Sequence, residues 1–130
     1  MPVKVYLEAA ARTQELLTVK WTLRSFGYTI ASTWHEEPLV SASTQQSHSS
    51  RQRLDELKSC DLVVIVRGTE ELPMDVAVTL GFAAARNLQV ICIGGSVDLP
   101  VVARTRYFPS IEEFRREHEY LDSFNQLLAA

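Results

Sequence analysis

Two short apolar runs dominate the pattern of this chain, Leu62-Val63-Val64-Ile65-Val66 and Val90-Ile91-Cys92-Ile93. β-branched runs of this length, bounded by turn residues, fit strands buried on both faces, as in the middle of a parallel sheet. Between them, Pro73 to Arg86 is apolar almost all round, with Met74, Val76, Val78, Leu80, Phe82 and several alanines, and predicts a helix. Asn87 stands where a left-handed helix cap is often placed, and Gly94-Gly95 stops the second strand, which begins at Gln89. Strand, helix and strand with short connections predict a right-handed βαβ unit. Ligands of such sheets gather at the carboxyl ends of the strands, beside helix N-termini. The segment from Arg67 through Gly68 to Asp75 is therefore the first place to look for function.

The flanking sequence extends the alternation. Val3-Lys4-Val5-Tyr6-Leu7 predicts a strand with Glu8 at its carboxyl end. Ala9 to Phe26 predicts a helix in which Leu16, Leu17, Lys20, Leu23 and Arg24 mix an apolar stripe with a solvated one, closed by Gly27. Tyr28 to Trp34 predicts a second strand whose short polar side chains suit a sheet edge. His35 to Ser50, rich in Ser, Thr, Gln and Glu, predicts a long surface loop or a lid, well beyond the usual connection of ~4–6 residues. Ser49 or Ser50 is placed to cap a helix over Arg51–Ser59. Arg104–Phe108 predicts a fifth strand, and Ser110 with Glu113 forms a capping box opening a last helix from Ile111 to about Leu128. The expected fold is α/β: a five-stranded, mostly parallel sheet with helices on both faces, flavodoxin-like or Rossmann-like, in a single domain over residues 1–130.

Composition narrows the partners. The net charge of -3 argues against nucleic acid, which wants a basic face. No apolar run approaches the ~20 residues of a membrane helix, and the N-terminus lacks signal-peptide form. Cys60 and Cys92 fall at or in predicted buried strands, which predicts reduced structural thiols in a cytoplasmic protein. No Cys/His cluster points to a metal, and nothing in the sequence calls for a cofactor. His35 and His48 flank the long loop as surface residues, with no partner acid that makes a triad readable.

Five pieces of the chain, in order and in register, resemble the nucleoside 2-deoxyribosyltransferase superfamily, especially its small single-domain members. They are Tyr6-Leu7-Glu8-Ala9-Ala10, for a strand ending Tyr-Leu-Ala-Gly-Pro; Ser32-Thr33-Trp34; Cys60-Asp61 before a Val run; Val78-Thr79-Leu80-Gly81-Phe82-Ala83, for Val-Glu-Leu-Gly-Tyr-Ala; and Phe108-Pro109-Ser110-Ile111-Glu112-Glu113. The resemblance covers nearly the whole chain. It implies a small-molecule nucleoside or nucleotide as partner and a homo-oligomeric assembly.

The resemblance also brings out departures. The family's nucleophile is the glutamate of the central helix, a carboxylate that captures an oxocarbenium-like sugar carbon as in retaining glycosidases. Thr79 holds that position here, Ala9 replaces the first-strand glycine, and Pro73 holds the place of a family aspartate. A threonine hydroxyl is not ionised near neutral pH, so loss of the nucleophile predicts a rate lower by orders of magnitude. Two expectations follow. The first is a catalytically degenerate binding protein whose ligand meets Tyr6, Ala9, Trp34, Gly68, Asp75 and Thr79. The alternative is an active N-glycosidase or deoxyribosyltransferase in which Asp75 or Glu8 is a relocated carboxylate and Tyr6 stands beside it. The bland roles also stand: Asp75 favouring its helix N-terminus, Glu8 solvated, Tyr6 packed, and Trp34 anchoring a strand end.

Overall fold

The computed structural model describes residues 3–9, 13–36, 42–67, 74–94 and 104–120, and of residues 36, 42–50, 74–75 and 119–120 the backbone alone. Five strands form one parallel sheet in the order β2-β1-β3-β4-β5. They are β1 (Lys4–Ala9), β2 (Thr29–Ile30), β3 (Leu62–Val66), β4 (Gln89–Ile93) and β5 (Thr105–Phe108). The helices are α1 (Gln14–Ser25), α2 (Ala42–Ser59), α3 (Met74–Ala85) and α4 (Ile111–Tyr120), with a 3₁₀ turn at Trp34–Glu36.

The strand order dictates the layers. The chain steps from β1 outward to β2, then reverses across β1 to β3 and on to β4. With right-handed crossovers, that reversal puts α1 on one face and α2 and α3 on the other. α4 returns to the α1 face, where the Arg115 guanidinium donates to Thr22 Oγ1 at 3.1 Å. Nearby, the imidazole of His118 stacks on Phe26 with centroids 4.0 Å apart. The register, Val5↔Leu62, Leu7↔Val64 and Ala9↔Val66, turns these residues together toward α1 and α4. Tyr6, Glu8, Val63, Ile65 and Cys92 turn toward α2 and α3. Both faces of β3 and β4 are covered, which is why these strands read as unbroken apolar runs.

Several boundaries differ from the sequence expectation. β1 runs on through Glu8 and Ala9, because β3 continues alongside it to Val66. α1 begins at Gln14, where the Thr13 side chain accepts from the Leu16 N–H and caps it. Lys20 is buried rather than solvated. β2 is only two residues long, and Trp34 lies in the 3₁₀ turn rather than a strand. Ser49 and Ser50 do not cap a helix; they lie inside α2, which starts at Ala42 and takes up part of the expected 35–50 loop. Residues 37–41 of that loop lie outside the described residues, as does the expected end of the last helix beyond Tyr120. The left-handed cap at Asn87 is present, with φ 54. So is the serine cap of α4, Ser110 Oγ accepting from Glu113 N–H at 3.2 Å.

Candidate functional site

The site forms where β1, the segment after β2, and α3 meet. Strand alternation turns Tyr6 and Glu8 toward α3, and they are 1% and 2% exposed. Such a carboxylate must be satisfied internally, because a bare buried charge is among the costliest things a fold can hold. Thr79 supplies part of that. Its helix position turns it inward, 5% exposed, and its Oγ1 donates to Glu8 Oε2 at 2.7 Å. A hydrogen bond of this kind contributes about 0.5–1.5 kcal/mol, and leaving a buried acceptor without one costs about 1–3 kcal/mol. The sequence expectation of a solvated Glu8 is thereby overturned.

The edge of β1 facing β2 is closed by side chains. Backbone pairing carries as far as Ala31 N–H to the Val5 carbonyl at 2.8 Å. Beyond that, Leu7 N–H donates to Ser32 Oγ at 2.9 Å, and Trp34 Nε1–H donates to the Leu7 carbonyl at 2.7 Å. Ser32 Oγ also lies 3.0 Å from His35 Nε2. His35 is therefore buried against β1 and not a surface residue, because its imidazole completes the polar cluster that replaces the missing ladder. The Arg53 guanidinium of α2 lies over the Trp34 ring, 5.1 Å from its centroid. Trp34 is in this way an anchor between β1 and α2.

Row by row across the sheet, Glu8 registers with Ile65 and Ile65 with Cys92. Burial pushes the Cys92 thiol up to about 11, against the positive charge of Arg67, which works the other way. Cys92 is free, as is Cys60. Among the described residues no group of three His, Cys, Asp or Glu side chains could hold a metal ion, and no helix is long and apolar enough to cross a membrane.

Of the residues singled out from sequence, Glu8 and Thr79 come together, Tyr6 lies on the same face of β1 as Glu8, and Trp34 is bonded to the Leu7 peptide. Ala9 faces the opposite side of the sheet, paired with Val66. Gly68 lies outside the described residues, and so does the Asp75 side chain, whose backbone is the second residue of α3. Sequence reasoning missed Ser32 and His35 as a linked pair. The signal for it was weak, since their contact with β1 depends on β2 ending at Ile30.

Chemically, the arrangement offers one carboxylate held by a hydroxyl near the carboxyl end of a strand. Its oxygens suit a sugar hydroxyl as acceptor, or an electron-poor sugar carbon as nucleophile.

The fold is similar to two solved enzyme structures. One is a 2-deoxyribosyltransferase from the psychrotolerant bacterium Bacillus psychrosaccharolyticus, with TM-score 0.73 and 18% identity over 95% of each chain. The other is the CMP N-glycosidase BcmB from Clostridium botulinum, with TM-score 0.60 and 16% identity, covering 89% of this chain and 98% of that one. No protein-family profile matches the sequence, and no curated protein does. The chain thus has a nucleoside 2-deoxyribosyltransferase-like fold.

Proposed function

We propose that this chain binds a nucleoside or nucleotide at the carboxyl ends of β1 and β3, with the Glu8–Thr79 pair and Tyr6 forming the floor of the site. The observation that carries the proposal is the 2.7 Å hydrogen bond from Thr79 to a buried Glu8. Thr79 takes the place where the similar family carries its nucleophilic glutamate, and a neutral hydroxyl is not a nucleophile without a base. Glu8, at 2% exposure, stands ready to accept a hydroxyl that reaches it but is not open to broadside attack on a sugar. Binding without turnover is accordingly the first reading.

A second reading rests on the same carboxylate. If ligand entry exposes Glu8, it is a carboxylate moved from helix to strand, and the protein is an N-glycosidase or deoxyribosyltransferase on deoxynucleosides or their monophosphates. Asp75, one turn before Thr79 on α3, is the other acid this reading names. One experiment separates the two. Purified protein is incubated with deoxynucleosides and their monophosphates while melting temperature and free base are followed together. Ligand at a hundred times its Kd stabilises the fold by about 2.7 kcal/mol, which a melting curve resolves. A shift without base supports binding alone. Base release that Glu8→Gln abolishes supports the enzyme. No shift and no base removes both readings.

Homo-oligomerisation belongs to the same proposal. Its support is the apolar helix α3, whose Val78 is 64% exposed; light scattering over a concentration series tests it. Two free, buried thiols support residence in a reducing compartment.

A further inference from the structure

Backbone pairing along the outer edge of β1 ends with the Ala31 N–H on the Val5 carbonyl. Past that point both polar groups of Leu7 are held by side chains, its N–H by Ser32 Oγ at 2.9 Å and its carbonyl by Trp34 Nε1–H at 2.7 Å. That carbonyl belongs to the peptide bond that carries Glu8. A strand ladder keeps its own register, because its donors and acceptors are backbone. A side-chain clamp holds only as well as the residues that present it are themselves supported.

Helix α2 supplies that support. Thr33 stands between the two clamp residues, and Glu56 of α2 accepts from both of its donors. The Thr33 N–H donates to Glu56 Oε1 at 3.1 Å, and the Thr33 hydroxyl donates to Glu56 Oε2. Gln52, one turn earlier on the same face of α2, donates from Nε2 to Thr33 Oγ1 at 3.1 Å and to Glu56 Oε2 at 3.3 Å. A two-point grip by one carboxylate fixes the direction of its partner as well as its place. The Arg53 guanidinium, also from α2, lies over the ring of Trp34. α2 therefore grips Thr33 and Trp34 side by side, while Leu57, 4% exposed, anchors the same helix in the core.

We infer that Glu56, supported by Gln52, is a positioning residue of the Glu8–Thr79 site. α2 acts through Thr33 on Ser32 and Trp34. These two fix the polar groups of Leu7, and the Leu7 peptide sets where the Glu8 carboxylate meets Thr79 Oγ1. The position of α2 is thereby a control on the site, because a shift of the helix that frees Thr33 releases the end of β1 beneath the ligand. The inference rests on the function proposed above for its ligand and on the hydrogen bonds for the coupling.

The test takes the full chain, with deoxycytidine, deoxyadenosine and their monophosphates as probes in calorimetric titration, and follows amide exchange without them. Glu56→Ala is expected to weaken probe binding by about tenfold or more. It is also expected to speed exchange at the Leu7 amide by about tenfold or more relative to the amides of β3. Glu56→Gln, whose amide oxygen still accepts from the Thr33 N–H, is expected to stay within about threefold of the parent in both readings. Thr33→Val reaches the same contact from the other side and is expected to move both readings in the same direction; it covers misfolding of Glu56→Ala, and circular dichroism checks both. The control is Ile91→Val, at a 0% exposed residue of β4, two strands from β1 and on the sheet face opposite Glu8. It lowers stability throughout and is expected to leave probe affinity within about twofold. Unchanged affinity and unchanged Leu7 exchange in Glu56→Ala overturn the inference, while the binding function stands. An equal loss of affinity in Ile91→Val overturns it too, since stability alone would then account for the effect. A parent that binds none of the probes removes the function proposed for the site instead. Leu7 exchange then decides the coupling, which falls if Glu56→Ala leaves it at the parent's rate.

Discussion

At the scale of single residues, the molecule turns on how it satisfies Glu8. Thr79→Val keeps the shape of the side chain but removes the donor, so a buried carboxylate is left one hydrogen bond short. The expected cost is about 1–3 kcal/mol of stability, read from the urea midpoint. Glu8→Gln is expected to cost less, because the amide oxygen still accepts from Thr79. A Thr79→Val protein as stable as the parent would mean that the 2.7 Å contact carries little of Glu8's stabilisation. Gly94 gives a second residue-scale prediction. Its φ of +101 and the 2.3 Å that would separate a Cβ from the Arg67 oxygen leave no room for a methyl group. Gly94→Ala is expected to lose roughly 2 kcal/mol or more, since strained backbone alone costs about 1–3 kcal/mol. The same substitution at Gly81, where a Cβ meets nothing within 4 Å and the backbone is helical, is expected to be neutral or stabilising.

At the scale of elements, the informative one is β2, which stops after Ile30 and hands the edge of β1 to side chains. Ser32→Ala strands the buried Leu7 N–H, and the expected cost is about 1–3 kcal/mol. Amide hydrogen exchange reads it locally: the Leu7 amide should exchange faster while those of β3 stay protected. Unchanged exchange at Leu7 would mean that its amide finds another acceptor. This element also shows what a sequence can and cannot disclose. The runs at 62–66 and 89–93 were legible because burial on both faces demands apolar residues at nearly every position, and five strands with helices between them follow from spacing alone. Ser-Thr-Trp at 32–34 looked like more strand, because alternation does not record where pairing is replaced by a hydroxyl and an indole. The polar stretch before Arg51 looked like loop, because α2 owes its inner anchoring to Leu57 near its end and carries no apolar stripe in its first half. The site was half legible. Tyr6, Glu8 and Thr79 were named from sequence, but the contact between strand and helix that joins Glu8 to Thr79 spans 71 residues and appears only in three dimensions.

At the scale of the whole molecule, the two thiols and Tyr28 make stability depend on alkaline pH. Burial raises Cys60 from its ordinary 9.0 to about 11, with the neighbouring Asp61 charge adding to the effect. Burial raises Cys92 to about 11 as well. Both groups are neutral when protonated, and the folded chain holds the proton more tightly than the unfolded chain. Their contribution is therefore complete below pH 9 and is lost as pH rises through the folded values near 11. A rise of this size corresponds to roughly 2–3 kcal/mol per thiol as an upper bound. Tyr28, whose hydroxyl lies 3.0 Å from His118 Nε2, is also pushed up by burial and acts in the same direction at still higher pH. The unfolding free energy is expected to be flat from about pH 7 to 8.5 and to fall steeply from about 9 to 11. In the double variant Cys60→Ala and Cys92→Ala, the fall between about 9 and 10 should flatten, leaving the later loss that Tyr28 contributes. Urea titrations at half-unit pH steps decide it. An identical slope in parent and double variant would assign the alkaline loss to charge repulsion over the whole surface rather than to thiols ionising in the core.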